Sequence, residues 1–254
     1  MTADGYMPLT RTKRRSLAPA DAAMVAPCML RYSPIAALSH ERAREWLSDR
    51  EHAAVALLGS DHRRLAWLNG RLLLKRLIVE RLRAAGPSRQ VHPRDVEIVS
   101  RDAAGRAARP TALLGGRPLN CSLSITHTDR HVLVAVAAAS VAIGVDLVDA
   151  QFAPAEGFCQ LWFTELERQR LCEITSPSAA AVWAIKEAVY KATNRGDPFM
   201  PQHIEVDRQR DGRLVCRAPN PAAATCQLVT WLTSGGEIAA LATLSESTGS
   251  MQDD

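Results

Sequence analysis

Apolar positions recur at helical spacing in two long stretches of the chain. Between Asp61 and Ala85, Leu65, Leu68, Leu72, Leu73, Leu77 and Ile78 line one face. Arg64, Arg71, Lys75, Arg76, Arg81 and Arg83 make the remainder strongly basic, and Gly86-Pro87 stops the helix. Gly70 inside it costs about 1 kcal/mol relative to Ala, which points to close packing or a nearby ligand. The second stretch is Ala181–Arg195, with Val182, Ile185 and Val189 as its stripe. Ser178 is its expected N-cap and Gly196 its stop. Shorter helices are expected over Ser39–Ser48 and Thr164–Cys172, the latter opened by the capping box Thr164-x-x-Glu167.

Strand-like runs fall between and after these helices. They cover residues 95–100, 121–126, 132–138, 141–148, 204–208, 214–218, 226–232 and 238–244. Turn material separates them, including Asp211-Gly212 and Gly235-Gly236. Arg101–Pro118 reads as a loop rich in Arg, Gly and Pro. Helices followed by strands, twice over, predict an α+β protein of two similar halves joined near residues 139–143. The expected divisions are a flexible tail over 1–27, halves over 28–140 and 141–246, and a tail over 247–254. No strong sequence repeat links the halves, so any duplication is one of architecture.

Composition narrows the classes of function. With 254 residues and a hydrophobic fraction of 47%, the chain can bury a real core, and a net charge of +4 suits an anionic ligand or an acidic partner. At 5% aromatic residues there is no base-stacking surface, and no partnership with nucleic acid is expected. No apolar run is long enough to span a bilayer and no secretory signal opens the chain. The six scattered cysteines form no C-x-x-C pair and read as reduced thiols of a cytoplasmic protein.

Four local patterns can carry chemistry. Asp146 ends the apolar run VAIGVD, where a charge needs a partner or a hard cation, although an Asp capping a turn reads the same way. Thr126 and His127 lie where a strand runs out in SITHT and can bond phosphate oxygens. Arg101 and Arg106 flank a small-residue loop suited to bidentate phosphate recognition. Glu187 and Lys191 are four apart on one helix face; they suit a metal-bound diphosphate, or are an ordinary surface pair. There is no Walker loop, no dinucleotide fingerprint and no nucleophile elbow.

These residues together resemble the 4′-phosphopantetheinyl transferases. WAIKEAVYK is similar to that family's W-x-x-K-E-x-x-x-K, IGVDLVD to its G-[IV]-D, SITHT to its S-H-[ST], FTELE to its F-[ST]-x-x-E, and NGRLLLKRLI to its G-R-x-x-x-[KR]. Order and spacing resemble the long, surfactin-synthetase-type branch, over roughly Asp61–Gly196. The resemblance implies two α/β halves arranged as a pseudo-dimer and acting as a monomer. It also implies transfer of phosphopantetheine from coenzyme A to a serine of an apo acyl or peptidyl carrier protein, with release of adenosine 3′,5′-bisphosphate. By motif match Asp146 and Glu187 would bind Mg²⁺, Glu187 would act as base, and Lys191 would contact the diphosphate. Arg101, Arg106, Thr126, His127 and Lys75 would contact coenzyme A. Val148 stands where many members carry a third carboxylate, and Gly105-Arg106-Ala107 replaces the usual Gly-[KR]-Pro. A non-catalytic coenzyme A- or carrier-binding module and a Mg²⁺-dependent nucleotide phosphohydrolase are the alternatives.

Overall fold

A computed structural model describes residues 22–25, 28–38, 40–86, 90–101, 105–171, 177–194, 198–209, 214–217 and 224–246. In chain order the first half runs β1 (Ala22–Val25), β2 (Cys28–Pro34), α1 (His40–Trp46), α2 (Asp49–Ala56), α3 (Asp61–Ala85), β3 (Val96–Arg101), β4 (Ala107–Leu114), β5 (Arg117–Pro118), β6 (Cys121–His127) and β7 (His131–Ala138). The second runs β8 (Val141–Asp149), α4 (Glu156–Trp162), α5 (Glu165–Arg170), α6 (Ala179–Thr193), β9 (Glu205–Arg208), β10 (Leu214–Arg217), β11 (Ala224–Leu232) and β12 (Glu237–Glu246). Each half has a 3-10 turn after its long helix, at Pro93–Asp95 and Pro201–His203.

Apart from β1 and β5, which have no counterpart, the succession of elements is the same twice. In the first half β2 pairs with β7 and β7 with β6, all antiparallel. In the second β8 pairs with β12 and β12 with β11, again antiparallel. In each sheet the first of these strands thus pairs with the last and the last with the one just before it, β1 adding a further edge to the first sheet; an accessory sheet, β3–β4–β5 or β9–β10, follows each long helix.

Strand alternation explains the four-layer stack. Leu30 and Tyr32 of β2 and Leu133 of β7 face Ile143, Val145 and Leu147 of β8, forming one apolar layer between the two sheets. The opposite faces take the helices: Leu74, Leu77 and Ile78 of α3 pack on Val134 and Val136, and Ile185 and Val189 of α6 pack on Ala240 and Ala242. Gly144 allows α6 to lie on β8, since a Cβ there would sit 1.9 Å from the Ala188 carbonyl oxygen. Gly70 does the same for α3, where a Cβ would meet Ile125 Cδ1 at 2.6 Å. Close packing, not a ligand, accounts for that glycine.

Several expectations change. Residues 22–25 form β1, laddered on β2 through Ala22↔Arg31 to Val25↔Cys28, so the tail ends sooner than Pro27. Arg101–Pro118 is largely β4 and β5, turned at Gly115 and Gly116 with φ of 57° and 78°. Short, Arg- and Pro-containing strands lack the alternation that would reveal them. The two helices α2 and α4, of eight and seven residues, are too short to show a helical period. Ser178 caps α6 as expected, whereas Gly196, Asp211 and Gly212 lie outside the described residues.

A buried ion pair recurs in both halves. Lys75 Nζ reaches Glu51 Oε2 at 2.5 Å and the Trp46 carbonyl at 2.7 Å, and Glu51 accepts from Ile98 N at 3.1 Å. Lys186 Nζ reaches Glu167 Oε2 at 2.7 Å and the Trp162 carbonyl at 3.2 Å, and Glu167 accepts from Val206 N at 2.7 Å. Both glutamates close capping boxes, with Ser48 and Thr164. Burial pulls the pKa of each lysine down and its glutamate holds it up. Removing one partner strands a buried charge. Glu167→Gln should therefore cost about 3–5 kcal/mol by urea denaturation, while Glu167→Leu with Lys186→Met should recover much of it. A double variant no more stable than the single one would contradict this account.

Candidate functional site

Asp146, Glu187, Lys191 and Thr126 come together where β8, α6 and β6 meet. Asp146 is 6% exposed on the α6-facing side of β8. Its Oδ1 accepts from Lys191 Nζ at 2.6 Å and from Thr126 Oγ1 at 2.9 Å. Lys191 also approaches Glu187 Oε2 at 3.8 Å, four residues back along the helix. The ammonium thus bridges two carboxylates whose mutual repulsion it offsets. Burial raises the Glu187 pKa, Lys191 opposes that, and the Asp146 charge adds to it.

The hydroxyl side of the site comes from the first half. β6 and β8 are edge strands of different sheets. Side chains stitch them: Ser124 Oγ accepts from Val145 N at 3.0 Å, two residues before Thr126 meets Asp146. His127 follows at the strand's end. Desolvation lowers its pKa, and the charges of Lys191 and His62 act in the same direction. Its imidazole is a polar donor or acceptor for a ligand oxygen.

The donor chemistry fits a hard divalent cation in part. Two adjacent carboxylates and a hydroxyl are oxygen ligands of the right kind for Mg²⁺, which keeps several waters. Among the described residues no group of three or more acidic, His or Cys side chains is gathered. Val148 lies on the same face as Asp146 and packs into the α6 core. Asp149 points the other way and pairs with Arg130 at 2.9 Å, so it does not supply a third ligand.

The remaining sequence candidates divide. Lys75 does not reach this site: it is fully buried under α2, and its charge is consumed by Glu51 and the Trp46 carbonyl. Sequence periodicity placed it on a basic outer face because a buried lysine and a solvated one look alike in a helical pattern. Arg101 and Arg106 sit at the exposed end of the β3–β4 hairpin, where Arg101 Nη1 donates to the Gly105 carbonyl at 2.6 Å. Gly105 has φ of 76°, a conformation its side chain-free backbone allows. Sequence reading missed Arg109 of β4, half-buried with its guanidinium 3.3 Å from the Ile143 carbonyl. No spacing rule singles it out.

Residues 142–242 match the profile of the 4′-phosphopantetheinyl transferase superfamily, a span that holds Asp146, Glu187 and Lys191. No curated protein matches the chain. Two solved structures are similar. One is an apo-ACPS structure from Chronobacterium ammoiniagenes, 25% identical, covering 41% of this chain and 95% of that one with a TM-score of 0.30. The other is the holo-acyl-carrier-protein synthase of Thermotoga maritima, 15% identical, covering 78% of this chain and 86% of that one with a TM-score of 0.34.

Glu187 carries a stability cost that can be measured. A carboxyl whose folded pKa is raised favours the fold below its unfolded pKa of about 4.3, and that contribution is lost as pH rises through the folded value. Glu187→Gln keeps Lys191 on Asp146 and removes the buried charge. The variant without added metal should melt above wild type near neutral pH, with the gap closing at about pH 4. An equal or lower Tm at neutral pH would show that Lys191 fully compensates Glu187.

Proposed function

We propose that the chain is a 4′-phosphopantetheinyl transferase of the long, two-half type. It moves phosphopantetheine from coenzyme A to a serine of an apo carrier protein and releases adenosine 3′,5′-bisphosphate. The observation that carries this reading is the Asp146–Lys191–Glu187 cluster, closed by Thr126 of the other half, within the segment that matches the superfamily.

The chemistry follows from the charges. The carrier serine oxygen attacks the β-phosphorus of coenzyme A, the new P–O bond forms, and the bond to the adenosine bisphosphate breaks. Glu187, with its pKa raised, takes the serine proton on a carboxylate oxygen. Lys191 places an ammonium beside the phosphoryl oxygens as negative charge moves to the leaving group. Asp146 and Glu187 would hold Mg²⁺, which supplies charge neutralisation of the diphosphate when bound. Thr126 and His127, at the end of β6, would hold the 3′-phosphate side, with Arg101 and Arg106 contributing further cations. A monomer in the cytoplasm, acting on an acidic carrier, completes the reading.

Incubating the protein with coenzyme A, Mg²⁺ and a panel of apo-carrier proteins should add one phosphopantetheine to a carrier by intact mass. Glu187→Gln should lower transfer by about 10²–10⁴-fold while coenzyme A still binds. No addition to any carrier by the folded protein would overturn the assignment, and adenosine bisphosphate released without a carrier would favour a phosphohydrolase.

A further inference from the structure

A buried polar network lies outside the cluster just described and joins the two halves. Its centre is Glu237, at the start of β12 and 0% exposed. Four side-chain donors converge on its carboxylate. Tyr32 Oη of β2 lies at 2.7 Å, Thr128 Oγ1 at 2.8 Å, His131 Nδ1 at 2.8 Å and Thr233 Oγ1 at 3.1 Å. Three of those residues belong to the first half and Thr233 to the β11–β12 turn of the second.

The directions of these bonds are forced. Thr128 Oγ1 already accepts from Arg130 N at 3.2 Å and His131 N at 3.1 Å, so its one proton goes to Glu237. Thr233 Oγ1 accepts from Glu237 N at 3.1 Å and lies 3.2 Å from Tyr32 Oη; with the Tyr32 proton on the nearer Glu237 Oε2, Thr233 donates its own proton to the same carboxylate. An ionised carboxylate only accepts, which assigns the His131 proton to Nδ1. The His131 ring stacks on Tyr32, with centroids 4.8 Å apart. Gly235 leaves the space, because a Cβ there would lie 2.3 Å from Tyr32 Oη and 2.4 Å from His131 Cε1. The partners hold the Glu237 carboxyl below the usual carboxylate range, although burial acts to raise it.

Thr128 is the residue after His127 and two after Thr126. We infer that Glu237 is a positioning residue: by gripping the Thr128–His131 turn from the second half, it sets Thr126 and His127 against Asp146 and Lys191. The role in transfer rests on the function proposed above. The role in holding the turn does not. Ser124 and Thr126 stitch β6 to β8 along its length, whereas the Glu237 carboxylate fixes the end of the strand from which His127 projects.

Two variants test this with two readouts. Glu237→Gln presents one amide oxygen to four donors, and Tyr32→Phe deletes one donor without changing shape. Val96→Ala, a core truncation on β3 away from the turn, controls for a general loss of stability. Hydrogen exchange should quicken at amides 126–131 in Glu237→Gln and Tyr32→Phe but not in Val96→Ala. The KM for coenzyme A should rise about tenfold or more in Glu237→Gln, and less in Tyr32→Phe, with the KM for carrier unchanged. Unchanged exchange at the turn, or faster exchange with an unchanged KM for coenzyme A, overturns the inference. Should Glu237→Gln fail to fold, Tyr32→Phe decides by the same criteria. If wild type transfers nothing, the assigned activity falls, and the exchange data alone decide whether Glu237 holds the turn.

Discussion

A lysine ammonium with no access to water constrains everything around it. Lys186 is 0% exposed and must place its three protons on acceptors inside the protein. It finds Glu167 Oε2 at 2.7 Å, with the Ile204, Pro201 and Trp162 carbonyls at 2.6, 2.9 and 3.2 Å. The segment before α6 and the turn after it are thereby both drawn onto one point of the helix. That fixes how α6 rolls on its sheet. Its next residue, Glu187, and Lys191 a turn later are then committed to the side where β8 presents Asp146. The helix is amphipathic enough to dock by its apolar stripe alone, but a stripe permits rotation that a buried charge does not.

The same device in the first half shows what was duplicated and what was not. Aligning Lys75 with Lys186 by their shared bonds places Arg76 at the position of Glu187, Glu80 at that of Lys191, and Arg31 at that of Asp146. The contact between strand and helix survives with its charges exchanged: Arg31 meets Glu80 at 2.9 Å where Asp146 meets Lys191 at 2.6 Å. Arg76 lies over the Trp46 ring at 4.8 Å. Architecture and electrostatics have thus separated. Both halves keep the helix in place, yet at these positions it is the second that sets two carboxylates, Asp146 and Glu187, about one ammonium.

Much of this was legible in the residues. Long helices, β-branched runs and the hairpin at Gly235-Gly236 announce themselves because their burial is one-sided and periodic. The cluster was legible for a different reason: Asp146, Thr126, Glu187 and Lys191 interrupt apolar patterns, and a charge in such a setting demands a partner. What escaped was residues whose meaning depends on a distant contact. Trp46-x-Ser48-x-x-Glu51 and Trp162-x-Thr164-x-x-Glu167 repeat the same spacing. As single capping boxes they say nothing about a lysine reached 24 residues later in one half and 19 in the other. Glu237 looks like the polar end of a strand. Only the fold reveals that Tyr32, 205 residues earlier, meets it.

The position of the cluster follows from how the sheets end. β6 and β8 are both edges, and an edge offers unpaired backbone groups that proteins normally cover or pair. Here two edges meet without forming a ladder between them, and hydroxyls bridge them instead. Ser124 Oγ accepts from Val145 N, and Thr126 Oγ1 donates to the Asp146 carboxylate. A ladder would have joined the two edges through backbone groups alone. Side-chain stitches instead join them through the buried hydroxyls of Ser124 and Thr126, which can exchange one hydrogen-bond partner for another. Holding such a seam at a fixed width takes bonds beyond the seam itself. The apolar layer between the sheets supplies the contact area, and the donors converging on Glu237 supply the register.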